Sequence, residues 1–289
     1  MKSDAISPSE APSAGSASPD GWLRLSLVQR HGATRLQTLG QGGALRVLWP
    51  RPPLGEPLQA VLTNTAGGLV GGDRMTIDLQ AGAGTRALVM AQAAEKVYRS
   101  TGADCIVETT VAVAEDALLE WLPQETILFQ NARLRRRTRI EVADTARLLA
   151  GELLVLGREA HGERFTRGRL REVWEVYRAG RLVWADVLHL DGPLEELRQH
   201  PAALAGAGSW ATQLYIGPDA ADWLAPTRAW LEEQDPERLR VACGLVNGLL
   251  LVRWLGWNTL ALRLAYGALW ARWRARAGRP ERLPRLWHI

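Results

Sequence analysis

The chain has 289 residues, a formal net charge of +4, 47% hydrophobic residues and 23% charged residues. This is the balance of a soluble globular protein that can bury a sizeable core. So mild a charge argues against a nucleic-acid binder, which concentrates its basic residues, and suits an acidic protein partner better.

The first 19 residues are rich in Ser, Pro, Ala and Gly and predict a disordered tail. No apolar h-region marks a signal peptide. From residue 22 to about 190, short apolar runs alternate with Gly, Asp, Pro or Asn every ten residues or so, which predicts strands. Four stretches echo one another at a spacing of roughly 30 residues: "AGAGTRALVMAQ", "AVAEDALLEWLPQ", "EVADTARLLAGEL" and "VYRAGRLVWADV". The residues alone leave two readings open, a stack of β layers or a series of similar antiparallel hairpins. The basic run "RLRRRTR", Arg133 to Arg139, predicts a strand with one cationic face, either solvated or set against an acidic partner.

After Asp191 the texture changes. "PLEELRQHPAALAGA" and "DAADWLAPTRAWLEEQ" predict helices, and "SWATQLYIG" and "LRVACGLVNGLLLVRWLG" predict strands. The stretch "NTLALRLAYGALWARWRARAG" predicts a long helix capped by Asn258 and stopped by Gly278. Its expected buried stripe is Leu260, Leu264, Leu269 and Trp273, with Arg263, Arg272, Arg274 and Arg276 outside. The longest apolar run is broken by Asn247 and Arg253 and is too short to span a bilayer. The expected division is a tail over 1–19, a β-rich core over 20–192 and a mixed helix and strand part over 193–289, packed as one domain.

Chemistry-bearing motifs are scarce. Cys105 and Cys243 form no CxxC pair, which points to a reducing cytoplasm rather than a disulfide framework. His31, His161, His189, His200 and His288 make no metal-binding pair. The glycine-rich stretch "GGLVGGD", Gly67 to Asp73, is neither a dinucleotide loop nor a P-loop, and its aspartate repels phosphate. It remains a candidate metal loop or a hard turn, with Asp73 capping its own turn. Gln92, Glu95, Gln124, Glu125, Glu152 and Asp186 close the apolar runs, and a stacked register gathers them along one side. Carboxylates in such a semi-buried file are costly unless paired or bound to a cation, and the alternative is that they point into solvent at strand ends. Paired carboxylates also leave a carbohydrate-active β-helix enzyme as an alternative.

Several blocks together resemble one family: "GGLVGGDRMTIDL", "AQAAEKVYRS", "WLPQETILFQNA", "ELLVLGREAHGERF", "GLLLVRWLG" and "PRLWHI". In that order they are similar to the urease accessory protein UreD (UreH) family, over residues 20 to 289. One departure is Thr65-Ala66, where members often carry Pro-Pro. The resemblance implies a mainly β fold of stacked layers like a β-helix, with a few helices in the C-terminal third. It implies a scaffold rather than an enzyme, acting with UreF and the nickel-carrying GTPase UreG on apo-urease, with no nucleic acid or membrane involved. It further implies an internal passage for nickel, with no tightly bound cofactor and at most transient Ni²⁺. Asp73, Glu163, Glu125 and Glu152 are the candidate passage ligands, because oxygen donors hold Ni²⁺ loosely. Gly67, Gly68, Gly71, Gly72, Lys96, Tyr98, Pro123, Gln124, Arg158, Arg253 and Trp287 are the expected motif positions. The thirteen tryptophans suggest that several sit at interfaces.

Overall fold

The computed structural model describes residues 20–288, so the expected tail over 1–19 lies outside the described residues. In chain order the strands begin with β1 (Gly21–Arg30), β2 (Ala33–Gly43), β3 (Leu45–Leu48), β4 (Leu58–Asn64), β5 (Arg74–Ala81) and β6 (Arg86–Ala91). Next come β7 (Glu95–Val97), β8 (Cys105–Val113), β9 (Leu118–Leu122), β10 (Thr126–Leu128), β11 (Arg133–Val142) and β12 (Arg147–Arg158). The chain continues with β13 (Glu163–Arg164), β14 (Arg167–Arg178), β15 (Arg181–Pro193), α1 (Glu195–Gln199), β16 (Ser209–Ile216) and α2 (Leu224–Leu231). It ends with β17 (Leu239–Val246), β18 (Leu249–Gly256) and α3 (Thr259–Arg276).

The layered reading of the repeats is the one observed. β5, β8, β11 and β14 lie parallel in one sheet, and β4, β6, β9 and β12 lie parallel in a second. Each coil runs from the first sheet through a short turn to the second. In two coils it then bends into a third, short strand, so that β7, β10 and the end of β12 also pair in parallel. Antiparallel strands finish both sheets: β2 and β15 flank the first, while β3 and the β16–β18–β17 group flank the second.

Three of the four echoing stretches are the turns from first to second sheet. The fourth is not. "VYRAGRLVWADV" is the antiparallel β14–β15 hairpin, closed by Ala179 and Gly180 at φ 47° and 76°. Positive φ at both turn residues matches the right-handed twist of a hairpin and folds the strand back on its own sheet. Asp186 therefore sits on the first sheet, outside the file of the second.

Two cores result. Inward side chains of both sheets fill one, among them Leu79, Val111, Ile140, Leu148 and Leu154. The outer face of the second sheet and the C-terminal helices fill the other, with Leu88, Leu149, Tyr266, Trp270 and Trp273. β12 is covered on both faces, which is why "RLLAGELLVLG" reads as a nearly unbroken apolar run.

The C-terminal third corrects three expectations. Only Glu195–Gln199 of the first predicted helix is helical. Helix α3 is capped as expected, with the Asn258 side chain accepting from the Ala261 amide at 2.8 Å, but its buried stripe is rotated. Leu262, Tyr266, Leu269, Trp270, Trp273 and Arg274 face the core, whereas Leu260 and Leu264 are 64% and 61% exposed. Arg274 is buried because Glu120 of β9 and Glu56 meet its guanidinium. A charge matched inside is invisible to a pattern that sends every arginine outward. Tryptophans 121, 174, 184, 223, 254, 270, 273 and 287 are buried, so most of the aromatic excess builds the cores rather than interfaces.

Candidate functional site

Between the two sheets lies a cavity of about 430 Å³. The first sheet contributes Met75, Ile77, Val107, Arg136 and Trp174 to its wall, and the second contributes Trp121 and Glu152. The bends after the second sheet add Glu95, Pro123 and Gln124. Its rim is formed by Gly67, Gln92, Ala93 and Lys96, all exposed.

The rim is shaped by the glycine-rich turn. Leu69 pairs with Val97 by hydrogen bonds to the backbone of Lys96 and Tyr98, extending the third strand file by one rung. Gly68 has φ +150°, and a Cβ there meets the Tyr98 ring at 2.5 Å and the Lys96 carbonyl at 2.7 Å, so only glycine fits. The Tyr98 hydroxyl donates to the Gly67 carbonyl at 3.1 Å, and its ring stands edge-on to Phe129 at 4.9 Å. Gly72 donates its amide to the Asp104 carbonyl at 3.2 Å, and Gly71 lies against Ser100. The stretch is thus a packed turn. Asp73 accepts the Val70 amide at 2.8 Å, the turn-capping role weighed from the sequence.

Inside, polar groups converge on Arg136. The alternation of β11 points Leu134, Arg136 and Thr138 inward, while Arg135 and Arg137 are exposed. Arg136 donates to Glu172 of β14 at 2.6 Å, to Glu152 of β12 at 3.0 Å and to the Thr126 hydroxyl at 2.8 Å. One cation thus stands between two buried carboxylates. Burial pushes the Glu172 carboxyl well above the ordinary range; Arg136 opposes the rise and Glu152 adds to it. At the rim Glu95 accepts from the Asn64 amide at 3.1 and 3.2 Å, and burial lifts its carboxyl to about 7. Glu172 Oε1, Trp174 Nε1, Thr212 Oγ1 and the Tyr266 hydroxyl are buried with no hydrogen-bond partner among the described residues. Thr212 is the register neighbour of Glu152, and Arg253 is the next along. Arg253 forms an ion pair with Asp186 of the opposite sheet at 2.8 Å.

Of the candidate passage ligands, Glu152 reaches the cavity; the other three are engaged elsewhere. Besides Asp73 at its turn, Glu125 pairs with Arg263, which also donates to Gln124 at 2.8 Å and to the Trp287 carbonyl. Glu163 pairs with Arg158 and accepts the Gln130 amide at 2.8 Å; that pairing holds its carboxyl below the usual range. The Arg158 guanidinium also covers the Phe129 ring at 4.1 Å. Trp287 is buried against Tyr266, its ring stacked at 5.8 Å, and locks the C-terminal segment onto the core. Arg136 and Glu172 were not foreseen. Their signal was present, since Leu134, Arg136, Thr138 and Ile140, like Leu170, Glu172, Trp174 and Val176, share one face of a strand.

Stacked parallel coils around a chamber with a mainly apolar wall and an exposed rim, with a helical C-terminal layer on the outer face of the second sheet, define a β-solenoid-like protein. The chain belongs to the UreD family: the family model described as UreD urease accessory protein matches residues 19–288. A urease accessory protein UreD of Magnetococcus marinus is 53% identical over the full length of both chains. One from Azorhizobium caulinodans is 40% identical over 93% of this chain and 96% of its own. One from Xanthobacter autotrophicus is 43% identical over 84% of this chain and 83% of its own. These relatives are named as accessory to urease, not as catalysts. Among the described residues no helix is long and apolar enough to cross a membrane.

Proposed function

We propose that this chain is a non-catalytic scaffold of urease maturation. It docks on apo-urease together with UreF and UreG in the cytoplasm and lets Ni²⁺ pass through its interior. The supporting observation is the cavity of about 430 Å³ that joins Glu95 at the rim to Gln124 and Glu152 inside, with Glu172 tied to Glu152 through Arg136. Carboxylates and carbonyls hold a borderline dication more weakly than imidazole or thiolate, so the cargo moves on. An arriving dication displaces the proton that the Glu95 carboxyl, lifted to about 7 by burial, holds near neutrality.

The carbohydrate-enzyme alternative needs an acid pair set across an open groove. Glu152 and Glu172 share one arginine inside the body instead of facing each other across an open groove.

The test is co-expression with the urease subunits and the other accessory proteins. The double variant E152Q/E172Q leaves the buried Arg136 without an anionic partner and is expected to be less stable, so nickel is read per complex recovered, where it is expected to fall at least tenfold. Unchanged nickel content refutes the passage. A wild-type chain that never joins apo-urease with those partners present refutes the scaffold.

A further inference from the structure

The basic run of β11 has a face that the passage does not use. Arg136 turns into the chamber, while Arg133, Arg135, Arg137 and Arg139 stand on the outer face of the first sheet. Most of these cations are matched. Arg137 meets Glu175 at 2.6 Å, and Arg139 meets Glu141 at 3.6 Å. Arg133 lies opposite Arg169 of β14, and Asp104 bridges the two, accepting from Arg133 at 2.8 Å and from Arg169 at 3.3 Å. Two residues further along, the same opposition has no bridge. Arg135 lies opposite Arg171, both are exposed, and neither has an ion-pair partner among the described residues. The β8 neighbour of Arg135 is Ile106, which brings no charge. His189 of β15 ends the row, 3.9 Å from an Asp191 that Arg169 already holds at 2.5 Å.

Like charges directly opposite on neighbouring strands, about 4.8 Å apart, are destabilising. An anion that bridges them removes the penalty, and the Asp104 arrangement shows that a carboxylate can accept from both forks. The surroundings suit a protein contact, because Ile106 and Val173 are half-buried on this face and Val187 is 54% exposed. From β8 to β15 neither this row nor the two beside it carries a Phe, Tyr or Trp on which a base could stack, which disfavours RNA. We propose that Arg135 and Arg171 dock an acidic segment of a partner protein, whose carboxylate bridges them as Asp104 bridges Arg133 and Arg169. This face lies on the side of the first sheet away from the chamber and needs no part of the passage.

The full chain is titrated with a labelled poly-L-glutamate peptide, and separately with an oligouridylate of equal charge, at low and at physiological salt. Wild type is expected to bind the peptide more tightly than the RNA, and less tightly as salt rises. R135Q/R171Q is expected to weaken peptide binding at least tenfold while its Tm stays equal to or above that of wild type, since a like-charge contact is removed. The control R30Q/R35Q takes the same charge from the exposed β1–β2 hairpin and is expected to change binding by no more than about twofold. No peptide binding, equal weakening by both pairs, or tighter binding of the RNA through Arg135 and Arg171 overturns the proposal. A second arm, which rests on the scaffold reading, compares recovery of the same variants on immobilised urease subunits with the accessory proteins present. A tenfold loss confined to R135Q/R171Q places the acidic segment in that assembly, and unchanged recovery overturns the docking role. A chain that binds the peptide through this row but never assembles sinks the scaffold and keeps the site.

Discussion

Arg136 of β11 and Glu152 of β12 meet at 3.0 Å, so consecutive strands of opposite sheets are bridged through the interior. Glu172 shares the same guanidinium at 2.6 Å. R136M strands two buried carboxylates and is expected to cost about 3–5 kcal/mol, the range for breaking a buried pair from one side. Urea unfolding measures it. Adding E172Q should recover part of the loss, and a cost under about 1 kcal/mol would show the triad to be well solvated.

The Glu95 carboxyl, lifted from 4.5 to about 7, gives stability a pH dependence of definite sign. Between those values the folded chain keeps a proton that the unfolded chain has released. Its contribution is complete below the unfolded value and is lost as pH rises through 7. E95Q keeps the amide contact with Asn64 and has no charge to form. Its urea midpoint should match wild type near pH 4.5 and exceed it at pH 8; a difference that stays flat across this window contradicts the burial argument.

A Cβ at Gly151 meets the Tyr266 hydroxyl at 2.2 Å and the Thr212 carbonyl at 2.7 Å. G151A is therefore expected to lower stability by about 1–3 kcal/mol, as overpacking does. Y266F alone should be close to neutral, because that hydroxyl is buried without a partner among the described residues. A double-mutant cycle should show G151A costing less in the Y266F background, and strict additivity would place the clash on the backbone alone.

Asp73 supplies one hydrogen bond to its own turn. D73A is expected to cost about 1 kcal/mol of stability, the usual worth of such a bond. Nickel delivery in the co-expression assay should be kept, in contrast to E152Q/E172Q. A loss of delivery with the complex intact would put Asp73 back on the cargo's route.

The strands were legible because "WLRLSL" and "TRIEV" alternate and one face of each is buried. The stacking was half legible. Coil turns and hairpin turns use the same small residues, and the distinguishing mark was length. Four residues separate β5 from β6, β8 from β9 and β11 from β12, while only Ala179 and Gly180 separate β14 from β15. The site was least legible. A run of arginines looks like a surface, and only its period-two alternation shows that Arg136 turns inward, against Glu172 of the adjacent strand in its own sheet and Glu152 of the next strand in the chain. Leu260 and Leu264 misled for the opposite reason, since an apolar residue on a helix can be left in solvent, whereas the matching of Arg274 depends on residues 154 and 218 positions earlier in the chain.

That separation has a consequence for biogenesis. The coils pair with neighbours about 30 residues away and can assemble in order as a nascent chain emerges. Glu120 and Glu56, however, wait for Arg274. Until it arrives, Glu120 on the outer face of the second sheet and Glu56 in the β3–β4 connection lack their cation, and the oily sheet face is an adhesive surface prone to aggregation. Translation that halts before the last helix therefore leaves a layered but unsealed body, with the outer face of its second sheet uncovered.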